Sequence, residues 1–585
     1  MATKWRINGS PTSKQPKTGS GGKCLLLTLA LLALTAGMAF GRSGKISKDL
    51  ENADPGATVD VIIQFSERPS KQDHQRVFDK GRRLKKELPV VKGAVYSVPV
   101  SALEDLANNS NVAYISSDRH VEAALDLAAS AVNANMAWQF GWDGTGVGIA
   151  VIDSGIVSAA DLTYSNSSAN NPRIVYSQNF ADSSANTSDL YGHGTHVAGI
   201  LAGNATNSTG QNYSASFKGI APNALLINLR ALDQNGSGTD STVIAAIQQA
   251  INLKTQYNIR VINLSLGRPV FESYALDPLC QAVEAAWKAG MVVAVAAGNY
   301  GRDNSMGTYG YGTITAPGND PYVITVGAMK TMGTPTRTDD LIASYSSKGP
   351  TLIDHIVKPD LVAPGNRIIS LLDLNGQLFA TYPQNVIPVS YYKNVGNTLA
   401  SSFYYQLSGT SMATPMVSGA AALLLQAQPQ LTPDQVKARL MKTAYKAFPS
   451  FSIATDPVTG AIYVSQYDIF TIGAGYLDIA AALSNSDLAT GTALSPTALY
   501  NPASNTVSLV SDPSAVWDTS VVWGTSVVWG TSVFLSGTSV LWGSSVVWGA
   551  SGTQGFSVIW GTSVIWGTTS QTASEGANIA ISGEN

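Results

Sequence analysis

Val147-Gly-Ile-Ala-Val-Ile-Asp-Ser-Gly155 opens with an uninterrupted apolar run and ends in a carboxylate and a turn. A run this short and this apolar marks a strand buried on both faces, as in a parallel sheet covered by helices. Ala224–Leu229, Val261–Leu264 and Met291–Val295 share the texture, and Ser241–Leu253 and Leu279–Ala289 between them carry helical spacing. This alternation, from about 135 to 484, predicts an α/β fold of three layers around a mostly parallel, doubly wound central sheet. Such sheets build their sites at the carboxyl ends of strands. Asp153 stands at one of those ends.

Three other segments bring reactive side chains to comparable places. Gly192-His193-Gly194-Thr195-His196 precedes an apolar helix, and Ser408-Gly-Thr-Ser411 opens a long one running to about Gln426. Ala296-Ala-Gly-Asn299 ends a further apolar run with a side-chain amide. Amide hydrolysis needs a nucleophile, a base that becomes an acid, an orienting anion and donors for the developing oxyanion. Ser411 can attack, and at a helix start its own N–H and the helix dipole favour negative charge. His193 can take the proton near neutral pH. Asp153 can hold the other imidazole N–H and fix its tautomer. Asn299 suits the second half of an oxyanion hole.

The order Asp, His, Ser, carried by Asp-Ser-Gly, Gly-His-Gly-Thr-His-Val-Ala-Gly, Ala-Ala-Gly-Asn and Gly-Thr-Ser-Met-Ala-Thr-Pro, resembles the subtilisin family of serine proteases. The likeness covers 135–484 and closes at Gly473–Asp478. It implies a serine endopeptidase acting on protein or peptide substrates through an acyl-enzyme, with no cofactor for catalysis. It further implies that Gly236-Ser237-Gly238 and Ser265-Leu266-Gly267 bind an extended substrate backbone as added strands. Asp161 matches a position that ligates calcium in many subtilisins, so a structural calcium and a plain surface Asp both stand as readings. Residues 45–122 resemble the family's propeptide, a folding aid that then inhibits the enzyme intramolecularly, with self-cleavage expected within about 119–134.

Composition agrees with that organisation. Residues 1–122 hold 18 Lys+Arg against 12 Asp+Glu, and the remainder 18 against 27, so the body is acidic and nucleic acid is excluded as a natural partner. Lys4, Arg6, Lys14, Lys17 and Lys23 precede the apolar run Cys24–Leu34, a signal-peptide layout over 1–39 with a cleavage site at Gly37-Met-Ala39. A secreted or cell-surface product follows. Removing that segment leaves Cys280 alone, so no intrachain disulfide is expected. Within 45–122, Val59–Phe65, Gly93–Pro99 and Val112–Ile115 read as strands and Lys71–Leu88 as a helix. Ser101 and Glu104 read as a capping box, and Glu122–Ala134 as a flexible Ala-rich link. His196 is expected to be structural: a zinc-protease helix wants His-Glu-x-x-His, and no Glu is present. His355 is expected to be solvated.

The last segment, 510–570, repeats Trp-Gly-Thr-Ser-Val-Val and holds seven of the chain's 11 Trp. It reads as a β-rich appendage for surface attachment or assembly, followed by a frayed polar tail at 571–585. A different class of function stays open on this ground: a surface scaffold or binding protein whose tail is the active part.

Overall fold

The computed structural model describes residues 45–510, except 48–49, 51–53, 55, 79–82, 118–123, 165–171, 395–398, 457–458 and 502–505, together with 532–534 and 583–584. The expected signal segment and most of the Trp repeat lie outside the described residues. The chain divides into two compact units, Met1–Val121 and Glu122–Asn585.

In the first unit β1 (Thr58–Phe65), α1 (Lys71–Phe78), β2 (Arg83–Leu88), β3 (Gly93–Pro99), α2 (Leu103–Ala107) and β4 (Val112–Ser117) follow one another. The strands pair antiparallel in the order β2-β3-β1-β4. Val61, Ile63 and Phe65 alternate along β1 into a small core with Tyr96, Val98 and Leu103. Two expectations fail here. Arg83–Leu88 is a strand rather than the end of a helix, because pairing with β3 outweighs its local spacing, and its charges suit a sheet edge. The Ser101–Glu104 capping box does not form. A 3₁₀ turn, Val100–Ala102, leads into α2, and the helix has no side-chain cap.

The second unit begins with α3 (Ala124–Ala131) and α4 (Ala134–Gln139). The Ala-rich stretch expected to be flexible is thus helical, with Leu127 and Ala128 buried, since small apolar side chains let a helix pack closely. Then come β5 (Gly148–Asp153), β6 (Ile174–Asn179), α5 (His193–Ala202), β7 (Leu225–Arg230), α6 (Asp240–Leu253) and β8 (Ile259–Leu264). α7 (Pro278–Lys288), β9 (Val292–Ala296), β10 (Ile324–Lys330), β11 (Leu341–Ile342) and β12 (Leu361–Pro364) continue the sheet. Among the described residues its order is β11-β10-β9-β8-β5-β7-β6, with β12 also beside β10. All of these pairs are parallel except β10–β11. This is the mostly parallel three-layer sheet expected from the apolar runs, and every residue of β5 is buried.

β5 lies between β7 and β8, so chain segments leaving it diverge to opposite sides. A crevice opens at such a switch point, beyond the carboxyl ends of the strands. After β13 (Ile368–Leu371), α8 (Gln377–Thr381), β14 (Val386–Pro388) and β15 (Ala400–Leu407) comes α9 (Thr410–Ala427), which packs on β8, β9, β10 and α5. The helix aims its first turn at that crevice. The core runs past residue 484: Ala493, Ala498 and Val507 belong to it. Among the described residues no helix is long and apolar enough to cross a membrane.

Candidate active site

Asp153 is the last residue of β5 and is 1% exposed. Its Oδ1 accepts from Ser154 N–H at 2.8 Å and from His193 Nδ1 at 2.8 Å. A carboxylate oxygen accepts, so Nδ1 carries the imidazole proton and Nε2 is left as the free base. Burial would lower the His193 pKa, but the charge of Asp153 and its hydrogen bond outweigh burial and leave it raised.

His193 is held at the start of α5 by a carboxylate that the sequence reading missed. Asp189, buried, accepts from Gly192 N–H at 2.7 Å and Thr195 N–H at 2.7 Å, and from Ser154 Oγ at 2.8 Å. It therefore caps the His helix and ties it to the residue after Asp153. Burial raises its pKa against those hydrogen bonds. The signal was there: an Asp four residues before an apolar helix is a capping residue in the wrong register for a simple N-cap.

Ser411 sits in the first turn of α9, half-buried. Its hydroxyl donates to the Ser265 carbonyl at 3.2 Å and not to His193, while Ser265 Oγ donates to the Ser411 carbonyl at 2.8 Å. Catalytic hydrogen bonds are commonly loose without substrate. Asn299 follows β9, and its Oδ1 accepts from Thr410 N–H at 2.9 Å and Thr410 Oγ1 at 3.1 Å. Those two donors fix which end of the amide is oxygen, so Nδ2 is the end left to donate.

One cleft of about 440 Å³ is lined by His193, Ser411 and Asn299. Gly236, Ser237, Gly238, Ser265, Leu266 and Gly267, all singled out in the sequence, line it too. Tyr191, Arg268 and Leu378 are among the other lining residues, and the first two were not foreseen. Leu378 lies in the stretch Leu372–Tyr405 ahead of Ser411, and it brings α8 to the cleft. Arg268 is locked by Asp240 and the buried Asp277. Together these groups can hold an extended chain, deprotonate a hydroxyl, and donate to an oxygen becoming negative.

Asp161 does not join this site, and its surroundings do not fit a calcium ion. Its Oδ1 accepts from Asn207 N–H at 2.9 Å and its Oδ2 from Tyr404 O–H at 2.7 Å. The buried Arg173 guanidinium donates to the Asp161 carbonyl at 2.8 Å and to Ala202 O and Ala224 O. Oxygens that a hard cation would need are already facing donors. Nor is Asp161 the plain surface residue of the other reading, for it is fully buried.

His196 is structural in the structure, as expected: Nε2 donates to Tyr405 O at 3.1 Å, and burial pushes its pKa down to about 3. Cys280 is buried, with its thiol against Asn319. His355 is half-buried rather than solvated, at φ 53°.

Known proteins share this organisation. Residues 144–527 match the model of the subtilase family, peptidase S8. Serine protease AprX of Bacillus subtilis is 37% identical over 396 residues, covering 65% of this chain and 81% of that protein. Subtilisin E of the same species is 32% identical over 427 residues, 72% of this chain and 93% of its own. The Thermostable alkaline protease of Halalkalibacterium halodurans is 31% identical over 367 residues, 62% and 80% respectively. With the match spanning most of the chain and the parallel sheet beneath it, the protein belongs to the subtilase family and is a serine-type endopeptidase.

Proposed function

We propose that peptide hydrolysis is carried by Asp153, His193 and Ser411, with Asn299 and the Ser411 N–H as the oxyanion hole. The observation that carries the reading is the 2.8 Å contact between His193 Nδ1 and a buried carboxylate, in a cleft that also presents Ser411 at a helix start. Ser411 Oγ turns from the Ser265 carbonyl to Nε2 of His193, gives up its proton, and attacks the scissile carbonyl. The oxygen that becomes negative is met by Asn299 Nδ2 and the Ser411 N–H. His193 then protonates the leaving amine, and water resolves the acyl-enzyme by the same route. Gly236–Gly238 and Ser265–Gly267 take the substrate backbone on either side as added strands.

The protein is made as a secreted precursor, on this reading, with 1–39 as the signal and 45–122 as a propeptide that inhibits until it is cut away. The compact first unit with its own core supports the propeptide. The helix Ala124–Ala131 moves the expected cut to the residues before it. The Trp repeat serves surface attachment or assembly.

Purified protein incubated with casein and a fluorophosphonate probe should hydrolyse the one and be labelled at Ser411 by the other. Absence of both would leave the scaffold reading instead. Ser411→Ala should accumulate uncut precursor, and normal maturation of that variant would remove self-processing.

A further inference from the structure

The polar end of the sequence is not frayed where the structure describes it. Glu584 is 6% exposed and sits between the end of β10 and the loops that follow β9, β11 and β12. Its carboxylate meets Arg302 Nη2 at 2.7 Å, Lys330 Nζ at 3.1 Å and the Ser344 N–H at 2.8 Å, and the Ser344 hydroxyl donates to it as well. Its backbone is read separately: Asn366 Nδ2 donates to Glu584 O at 2.8 Å, and Glu584 N–H donates to Asn366 Oδ1 at 3.0 Å. A side-chain amide paired to both sides of one residue is how a protein recognises a peptide by its main chain.

The position before it is selected by size and backbone. Gly583 has φ +71°, and a Cβ there would stand 2.5 Å from Ser408 Oγ and 2.6 Å from Arg367 Cγ. The receiving side is organised in advance. Arg302 is held by Asp456 at 3.0 Å and by Ser344 Oγ at 2.6 Å, and its guanidinium lies over the Tyr463 ring. Burial opposes a charge on Glu584, yet Lys330, Ser344 and Arg302 hold its carboxyl below the usual range.

We propose that the Arg302–Lys330–Ser344–Asn366 socket is a peptide-binding site of the catalytic unit whose ligand is the Gly583-Glu584 stretch of the same chain. Carboxylate, main chain and the absence of a side chain at Gly583 are each read by a different wall. The region beyond the catalytic core is thereby fastened to the enzyme body at Glu584 as well as through the continuous chain at Val510. Gly583 rests against Ser408, three residues before Ser411, so the fastening lies beside the proposed nucleophile's helix.

The test is a titration. A variant lacking 571–585 should bind the acetylated heptapeptide of residues 579–585 saturably and one to one, with the dye-labelled peptide followed by anisotropy. The peptides carrying Glu584→Gln or Gly583→Val should bind at least tenfold more weakly, and the full chain, whose socket is filled, should not bind at all. No saturable binding, or equal binding by the Glu584→Gln peptide, overturns the proposal. Should the shortened variant not fold, hydrogen exchange on the full chain decides. The Ser344 amide should exchange at least tenfold faster in Glu584→Gln while β5 amides are unchanged. Equal Ser344 exchange overturns the proposal. Protection of Ser344 that disappears on dilution assigns the ligand to a second copy and overturns the same-chain assignment.

Discussion

Replacing Asn299 by Ala tests the chemistry most directly, because the structure separates what the residue does for the fold from what it does for the reaction. Its Oδ1 takes two donors from Thr410, and its Nδ2 is the end left for the substrate oxygen. Losing one oxyanion donor costs about 2.7–4 kcal/mol of transition-state stabilisation in acyl transfer, subtilisins included. At about 1.36 kcal/mol per tenfold, turnover should fall roughly 10²–10³-fold. The bond strengthens only as the oxygen becomes negative, so KM should stay within about threefold while kcat carries the loss. Thr410 N–H would also lose its acceptor, costing stability on the order of 1–3 kcal/mol. Activity must therefore be counted per Ser411 that reacts with a fluorophosphonate, using a chromogenic tetrapeptide anilide as substrate. A kcat within threefold of the parent, on that basis, would refute the assignment of Asn299 to the oxyanion hole.

Three further outcomes are expected. The His193 pKa is raised by Asp153, and the base must be neutral to act, so kcat/KM should fall as pH drops through a midpoint above the ordinary histidine value. In Asp153→Asn that midpoint should move down along with the rate; an unmoved midpoint would disconnect the pair. Chelation with EDTA should leave the melting temperature unchanged as far as Asp161 is concerned, whereas Arg173→Leu should destabilise by about 3 kcal/mol through its unmet carbonyls. An EDTA effect reversed by calcium and absent in Asp161→Asn would contradict this. Asp360 is wholly buried between Lys358 at 2.7 Å and Lys437 at 3.2 Å, so Asp360→Asn should cost about 3–5 kcal/mol in urea unfolding of a Ser411→Ala background. Burial raises the Asp360 pKa, but the two lysines outweigh it and leave it lowered. Its contribution is thus present above the ordinary carboxylate range and lost as pH falls through the folded value. A variant as stable as its parent would show the cluster to be neutral.

The sheet was legible because a strand buried on both faces must be apolar throughout, and Val147–Ile152 or Met291–Val295 allow little else. The reactive cleft residues and the glycines beside them stood out because they crowd the ends of those runs. What escaped reading depended on partners distant in sequence. Arg83–Leu88 becomes a strand only because β3 offers it an edge. Ala124–Ala131 becomes a packed helix where α4 and the distant β13 meet it. Asp189 looks like any loop Asp until Gly192 and Thr195 turn their N–H groups toward it. Glu584, flanked by Gly583 and Asn585, gives no hint that Arg302 and Lys330 wait for it. Both readings of Asp161 rested on position in a motif, while Tyr404 and Asn207, far along the chain, decide what it meets.

The proposed orienting carboxylate, base and nucleophile ride on β5, α5 and α9, three elements far apart in the chain that meet only in the finished fold. A chain still being synthesised holds an aspartate and a histidine with nothing to activate until Ser411 has emerged and α9 has been threaded against β8, β9 and β10. A chain broken between His193 and Ser411 has the nucleophile on one piece and its base on the other. Hydrolytic power, on this reading, is therefore a report on assembly: it exists only where β5, α5 and α9 are packed together.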